Sequence, residues 1–277
     1  MNLQGKTILI TGSTDGVGRH VACELAAAGA RVLIHGRNRE RAEALIGDIR
    51  KRGNGSAVFY EADLSSLAQV RDLAAAVRRD HARLDVLVNN AGIGSRSGGA
   101  QRRTSVDGYE LRLAVNYLAG VLLTRLLLPL LEASAPARIV NVASAGQSPI
   151  DFDDVMLTRR YDGSRAYTQS KLAQIMFTFD LAEELEGSGV TVNCLHPATY
   201  MNTTMVRESG VSPMSSVDEG AAAILNLVGS RELEGRTGRY FDRQRESRAH
   251  PQAYDAAARQ RLRALTMKLI GLDDHAG

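Results

Sequence analysis

Ile10-Thr11-Gly12-Ser13-Thr14-Asp15-Gly16-Val17-Gly18-Arg19 is the stretch on which the fold turns. It follows a β-branched run at 7–11 and opens a segment, 17–28, whose apolar residues recur at helical period. Glycines at this strand-to-helix junction allow a tight turn, bring backbone N–H groups up to a pyrophosphate, and let the helix pack close to the strand. Gly12, Ser13, Asp15, Gly16, Val17 and Gly18 are therefore candidates to border a bound dinucleotide.

Working outward, short and nearly continuous apolar runs at 31–35, 57–60, 85–89, 138–142 and 191–195 read as strands buried on both faces. Helix-period segments lie between them at 39–52, 66–80 and 106–133. Such alternation implies right-handed crossovers and a parallel sheet covered on both sides. The expectation is an α/β, Rossmann-type doubly wound sheet in the order 3-2-1-4-5-6-7, with a seventh strand at 238–241, forming one domain over residues 1–277. Ligands of such sheets bind beyond the carboxyl ends of the strands, where strand order reverses.

The residues just past those ends carry the chemistry. After the second strand comes Ile34-His35-Gly36-Arg37. An acidic residue there would accept from ribose hydroxyls, whereas the Arg37 guanidinium suits a 2′-phosphate, so NADPH is favoured over NADH. Asp63 and Leu64, after the third strand, are expected at the adenine. Asn89-Asn90-Ala91-Gly92, after the fourth, offers amides and a tight backbone near the adenosine ribose.

Further on, Tyr167 and Lys171 stand four residues apart in a helical stretch. That spacing puts them on one face, about 6 Å apart along the axis. A nearby ammonium would favour the phenolate and lower the ordinary tyrosine pKa of about 10, making a proton donor usable near neutrality.

Together, Thr11-Gly12, Gly16, Gly18, Asn89-Asn90-Ala91-Gly92, Asn116, Ser144 and Tyr167-x-x-x-Lys171 resemble the short-chain dehydrogenase/reductase family from Lys6 to about Phe241. Asn141-Val142-Ala143-Ser144-Ala145-Gly146 and the stretch after Ala166 look most like its retinol-dehydrogenase-like branch. The resemblance implies that Ser144 bonds the substrate oxygen and Tyr167 exchanges a proton with it. It further implies that Lys171 holds the nicotinamide ribose and that Asn116 positions a water. The activity implied is an NADP(H)-dependent interconversion of a ketone or aldehyde and an alcohol. A non-catalytic NADPH-binding sensor or scaffold is the rival, disfavoured because a sensor needs no proton donor.

The chain departs from the family pattern in two places. Where Pro-Gly is usual it has Pro197-Ala198-Thr199, leaving Pro197 and Thr199 as candidates to meet the cofactor, with Thr203 and Thr204 as alternatives to Thr199. Tyr167 stands 23 residues after Ser144, a long gap for the family. The insertion at 147–165 and the segment 200–216 are expected to frame the substrate pocket, since loops on a rigid scaffold commonly carry specificity. Met201, Met205, Val206 and Met214 suggest an apolar lid and a bulky lipophilic or polycyclic substrate.

Composition is ordinary for a soluble globular protein and gives no nucleic-acid stripe: the net charge is +3, with 44% hydrophobic and 23% charged residues. The two cysteines, Cys23 and Cys194, show neither disulfide nor metal spacing, and the N-terminus lacks a signal-peptide layout, so a cytoplasmic address is expected. The stretch 118–131, interrupted by Arg125 and Pro129, reads as too short to span a bilayer. It is apolar nearly all round, which suggests pairing with a twofold mate as homodimer or homotetramer, unless the 147–165 insertion covers it within one subunit. An amphipathic run at 252–270 has no evident role.

Overall fold

The computed structural model describes residues 2–96 and 101–272. Met1 and residues 273–277, the ends of the expected domain, lie outside the described residues. Strands β1 (Thr7–Ile10), β2 (Arg31–Gly36), β3 (Ser56–Glu61), β4 (Val86–Asn89), β5 (Ala137–Val142), β6 (Val190–His196) and β7 (Arg239–Asp242) pair in parallel in the order β3-β2-β1-β4-β5-β6-β7. A short β8 (Arg245–Ser247) adds antiparallel to β7. It was not anticipated, because its residues are all exposed and polar and leave no apolar run. Arg243, at φ 56°, turns the chain back.

Helices α1 (Gly16–Ala27), α2 (Arg39–Arg52), α3 (Leu67–Asp80), α4 (Leu111–Leu113), α5 (Ala119–Ala133), α6 (Gly163–Glu184), α7 (Thr204–Glu208), α8 (Val217–Gly229) and α9 (Ala256–Ile270) complete the chain, with a π-helical turn (Ala114–Leu118) joining α4 to α5. The pleat sorts the strand residues between two cores. Ile8, Ile10, Val32, Ile34, Val86 and Val88 meet α1, α2 and α8, while Leu9, Leu33, Leu87 and Ile139 meet α3, α5 and α6. Burial of this kind stabilises by roughly 25 cal/mol per Å² of apolar surface.

The helix expected at 106–133 begins only at Leu111. Residues ahead of it fold back on themselves: Thr104 bridges Glu110, Gly108 sits at φ 84°, and the Glu110 carboxylate accepts from Leu113 N–H at 2.7 Å, capping the helix. The whole run Leu111–Ala133 is, by length and composition, long and apolar enough to cross a membrane, and 61% of its most apolar window is buried inside the protein.

That apolar excess is met in part within the chain. Asp255 caps α9, which lies against the π turn and α6 and buries Leu262, Met267 and Ile270. Tyr117 and Thr266 share a hydrogen bond of 2.8 Å, and Arg263 pairs with Asp180 at 3.4 Å. The face expected to meet a twofold mate is thus covered in part by the chain's own C-terminal helix. The insertion reinforces this cover: Ile150 N–H donates to Gln252 at 2.7 Å, and Arg261 stacks over Phe152.

Candidate active site

At Gly12 and Gly18 the turn after β1 has no space for a side chain. A Cβ on Gly12, which lies at φ 64°, would fall 2.9 Å from Ala91 Cα, and one on Gly18 would fall 2.4 Å from the Gly12 carbonyl. Asn90 staples the turn to β4, its Nδ2 donating to the Thr11 and Gly12 carbonyls at 2.9 and 3.1 Å. The Thr11 hydroxyl accepts from the N–H groups of Asn90 and Ala91, both at 3.0 Å. Ser13 turns its hydroxyl inward to the Ile10 carbonyl, so it borders the turn through its backbone.

His35 is a part of this turn that sequence reasoning missed. Gly12 N–H donates to His35 Nδ1 at 3.1 Å, which assigns the proton to Nε2, 3.2 Å from the Ala62 carbonyl. Burial pushes its pKa down to about 4 and keeps the ring neutral. The available signal was a polar residue near the end of an otherwise apolar strand.

Asp15 caps α1, accepting from Gly16 N–H at 2.7 Å, and pairs with Arg41 at 2.9 Å. Arg37 is exposed and stands 3.9 Å from Asp63, so these two meet at the ends of β2 and β3. Asp63 is fixed by accepting from Ser65 N–H at 2.9 Å. Leu64 packs its side chain into the core and can meet a ligand only through backbone.

Of the run after β4, Asn89 is not brought to the cleft. Its amide is buried and donates to Thr124 and Asn141 at 2.9 and 2.8 Å, within the layer under α5 and α6. The alternation of strand side chains explains this: Asn89 ends β4 pointing to the opposite face from Val88. Gly92 does reach the cleft, where a Cβ would lie 3.4 Å from Asn116 Oδ1 and 3.5 Å from Lys171 Nζ.

Asn116 sits in the π turn, a distortion common at functional sites. It accepts from Ile93 N–H at 2.8 Å and donates to Ser170 Oγ at 3.0 Å. Ser144 follows β5, and its hydroxyl meets the Tyr167 phenol and accepts from Gly146 N–H at 3.1 Å. Tyr167 and Lys171 rise from α6 beside it, with Nζ 5.9 Å from the tyrosine ring centre.

The expected acidification of the phenol is not found. Burial raises the Tyr167 pKa, and the bond to Ser144 offsets only part of it. The lysine is itself desolvated, its pKa lowered to about 7. Its amine donates to the Val142 carbonyl at 2.8 Å and to Gln174 Oε1 at 3.0 Å. Spacing along a helix fixed the shared face but not the burial that decides both charges.

Past β6, Pro197 is buried and Thr199 lies 3.1 Å from His196 Nε2, at the sheet's carboxyl edge. Thr203 comes nearer the glycine-rich turn: its methyl lies 3.3 Å from where a Gly16 Cβ would stand. The expected lid is only partly formed. Met201 packs against Gly220 and bridges Ser215, away from the cleft. Met205 and Val206 are half-buried. Tyr200 (49% exposed, φ 43°) and Met214 (72% exposed) are the large apolar groups of this segment left open.

The insertion at 147–165 is anchored at both its middle and its end. Leu157 is buried, and Tyr161 donates to Glu110 at 3.2 Å and meets Arg112. Glu110 and Arg112 form a buried ion pair at 3.6 Å, and Arg112 also donates to the carbonyls of Gly94 and Ser95 at 3.0 and 2.8 Å. One cluster therefore ties the insertion to the loop after Gly92.

Known proteins resemble this chain in sequence and in fold. The family model for short chain dehydrogenases matches residues 6–212. Human retinol dehydrogenase 13 is 38% identical over 290 residues, spanning 98% of this chain and 86% of its own. A Mycobacterium Paratuberculosis protein of solved structure superposes with a TM-score of 0.78 at 28% identity, covering 98% of this chain and 96% of its own. The Pseudomonas aeruginosa RhlG/NADP active-site complex superposes with a TM-score of 0.70 at 32% identity, covering 87% and 95%. The chain belongs to the short-chain dehydrogenase/reductase family, in its retinol-dehydrogenase-like branch, and is an oxidoreductase of the hydride-transferring kind.

Proposed function

We propose that this protein is an NADP(H)-dependent oxidoreductase that interconverts a ketone or aldehyde and an alcohol, acting on a bulky lipophilic or polycyclic substrate. The observation that carries the reading is the convergence of Ser144, Tyr167 and Lys171 beyond β5, with the glycine-rich turn at the same edge of the sheet. A phosphate-bearing coenzyme fits that turn, because its glycines let β1 and α1 pack closely and the turn opens the N-terminus of α1, an end that favours an anion. Exposed Arg37 supports a 2′-phosphate, with Asp63 as its neighbour. The solved NADP complex among the related structures supports the same coenzyme.

The nicotinamide coenzyme supplies the hydride when bound. Ser144 holds the carbonyl oxygen, and Tyr167 donates the proton that makes it a hydroxyl. Burial raises the Tyr167 pKa, so the phenol stands as a proton donor. Lys171 holds the nicotinamide ribose, with Asn116 and Gly92 at its side. Residues 147–165 and 200–216 shape the substrate side of a single domain, and open Tyr200 and Met214 support a lipophilic partner. Two buried free thiols, Cys23 and Cys194, support a reducing, cytoplasmic setting.

Coenzyme oxidation against a panel of lipophilic aldehydes and ketones tests this. Turnover with NADPH well above that with NADH is expected, and Arg37→Asp should reverse the preference. Equal use of both coenzymes, unaltered by the substitution, would remove Arg37 as the phosphate reader.

A further inference from the structure

We propose that Gln174 is a positioning residue for Lys171: its amide oxygen and the Val142 carbonyl fix the lysine's amine at the end of β5, and as a neutral acceptor it sets how much charge that amine presents to the cleft. The inference deepens the reading of Lys171 as the ribose-holding residue and rests on it.

Gln174 follows Lys171 by three residues on α6 and so shares its face. Both side chains are buried, each 4% exposed, and they meet at 3.0 Å. An ammonium has three donors. Two are taken by Val142 and Gln174, and the amine lies 3.5 Å from the point a Gly92 Cβ would occupy. Tyr167 is the titratable group beside it, from the same helix. The groups facing it from β5 and the π turn, the Val142 carbonyl and Asn116, are neutral. One turn beyond Gln174, Thr178 meets the Cys194 thiol of β6, which burial pushes up to about 12 and keeps neutral. Burial lowers the Lys171 pKa, and among the described residues the acceptors that meet its amine, the Val142 carbonyl and the Gln174 amide, carry no charge.

The turn of α6 that carries the acceptor is itself held in place. Thr178 Oγ1 donates to the Gln174 carbonyl at 2.9 Å and accepts from Asn141 Nδ2 at 2.8 Å, while Asn141 Oδ1 accepts from Asn89 at 2.8 Å. This chain of buried groups registers the Gln174 turn of α6 on β4 and β5, and gives Asn89 its place. A carboxylate at 174 would hold the amine fully charged; an apolar side chain would leave it a single acceptor.

The chain has four lysines, Lys6, Lys51, Lys171 and Lys268, so the Lys171 amine can be followed by NMR in lysine-labelled protein, assigned with Lys171→Arg. Gln174→Glu should move its titration midpoint up and Gln174→Met should move it down, each by about one pH unit. NADPH affinity, which needs the charged amine, should keep its value to higher pH in Gln174→Glu and lose it at lower pH in Gln174→Met. A midpoint indifferent to residue 174, or moved the same way by both substitutions, overturns the proposal. Should Gln174→Met not fold, the near-isosteric Gln174→Glu decides alone, an unmoved midpoint being the contrary result. The titration needs no coenzyme, which separates the two readings. Opposed shifts in a protein that neither binds NADPH nor reduces carbonyls would leave Gln174 in its role and remove the dehydrogenase. Unmoved midpoints with NADPH-dependent turnover intact would do the reverse.

Discussion

At the scale of single residues, the cleft depends on side chains whose charge is set by burial. Neutral His35 is the clearest case, holding Gly12 N–H with one nitrogen and the Ala62 carbonyl with the other. Its pKa falls from the ordinary 6.5 to about 4 on folding, so its contribution to stability is complete above pH 6.5 and is lost as the pH drops from there toward 4. Thermal unfolding followed across that window should show a falling midpoint in the wild-type protein. His35→Phe should lower the midpoint at pH 7.5, by an amount equivalent to roughly 1–3 kcal/mol for the stranded polar groups, and flatten the acid dependence. An acid limb equally steep in both proteins would assign it to other groups. Spacing put Tyr167 and Lys171 on one helix face, and the family resemblance singled out Ser144. They did not disclose His35 or Gln174, because a partner across a sheet or one turn away leaves no motif. Nor did they disclose that Asn89 faces away from the cleft, which depends on the parity of its position in β4.

At the scale of elements, strands and most helices were readable because their signals are local. Apolar runs mark β1 to β6, and caps such as Asn38 and Ser66 mark where α2 and α3 begin. The start of the Leu111 run was misjudged by five residues, since residues 106–110 continue its apolar period while Gly108 and the Glu110 cap impose a turn. The amphipathic stripe of α9 was visible, but its docking site was not: contact between residues 117 and 266 is a property of the folded chain. Deleting residues 251–277 should uncover Tyr117, Val121, Met176 and Phe177. The account expects a lower unfolding temperature and a larger species by light scattering, as those side chains find a second copy. A monomeric truncation of unchanged stability would show that α9 contributes nothing to that face.

At the scale of the whole molecule, one sheet brings chemistry from distant parts of the sequence to one edge. The turn after β1, Arg37 after β2, Gly92 after β4, Ser144 after β5 and Thr199 after β6 all lie beyond carboxyl ends of parallel strands, and α6 lays Tyr167 and Lys171 across them. Many of the arginines that give the chain its charge of +3 form surface ion pairs, such as Arg19 with Asp48, which individually contribute little. The claim on which everything else depends is that the buried Tyr167 phenol gives its proton to the substrate oxygen. The most direct measurement is single-turnover carbonyl reduction by Tyr167→Phe with NADPH bound. The account predicts coenzyme affinity within a few fold of wild type and a reduction rate lower by about 10²–10⁴. Reduction at the wild-type rate would contradict it.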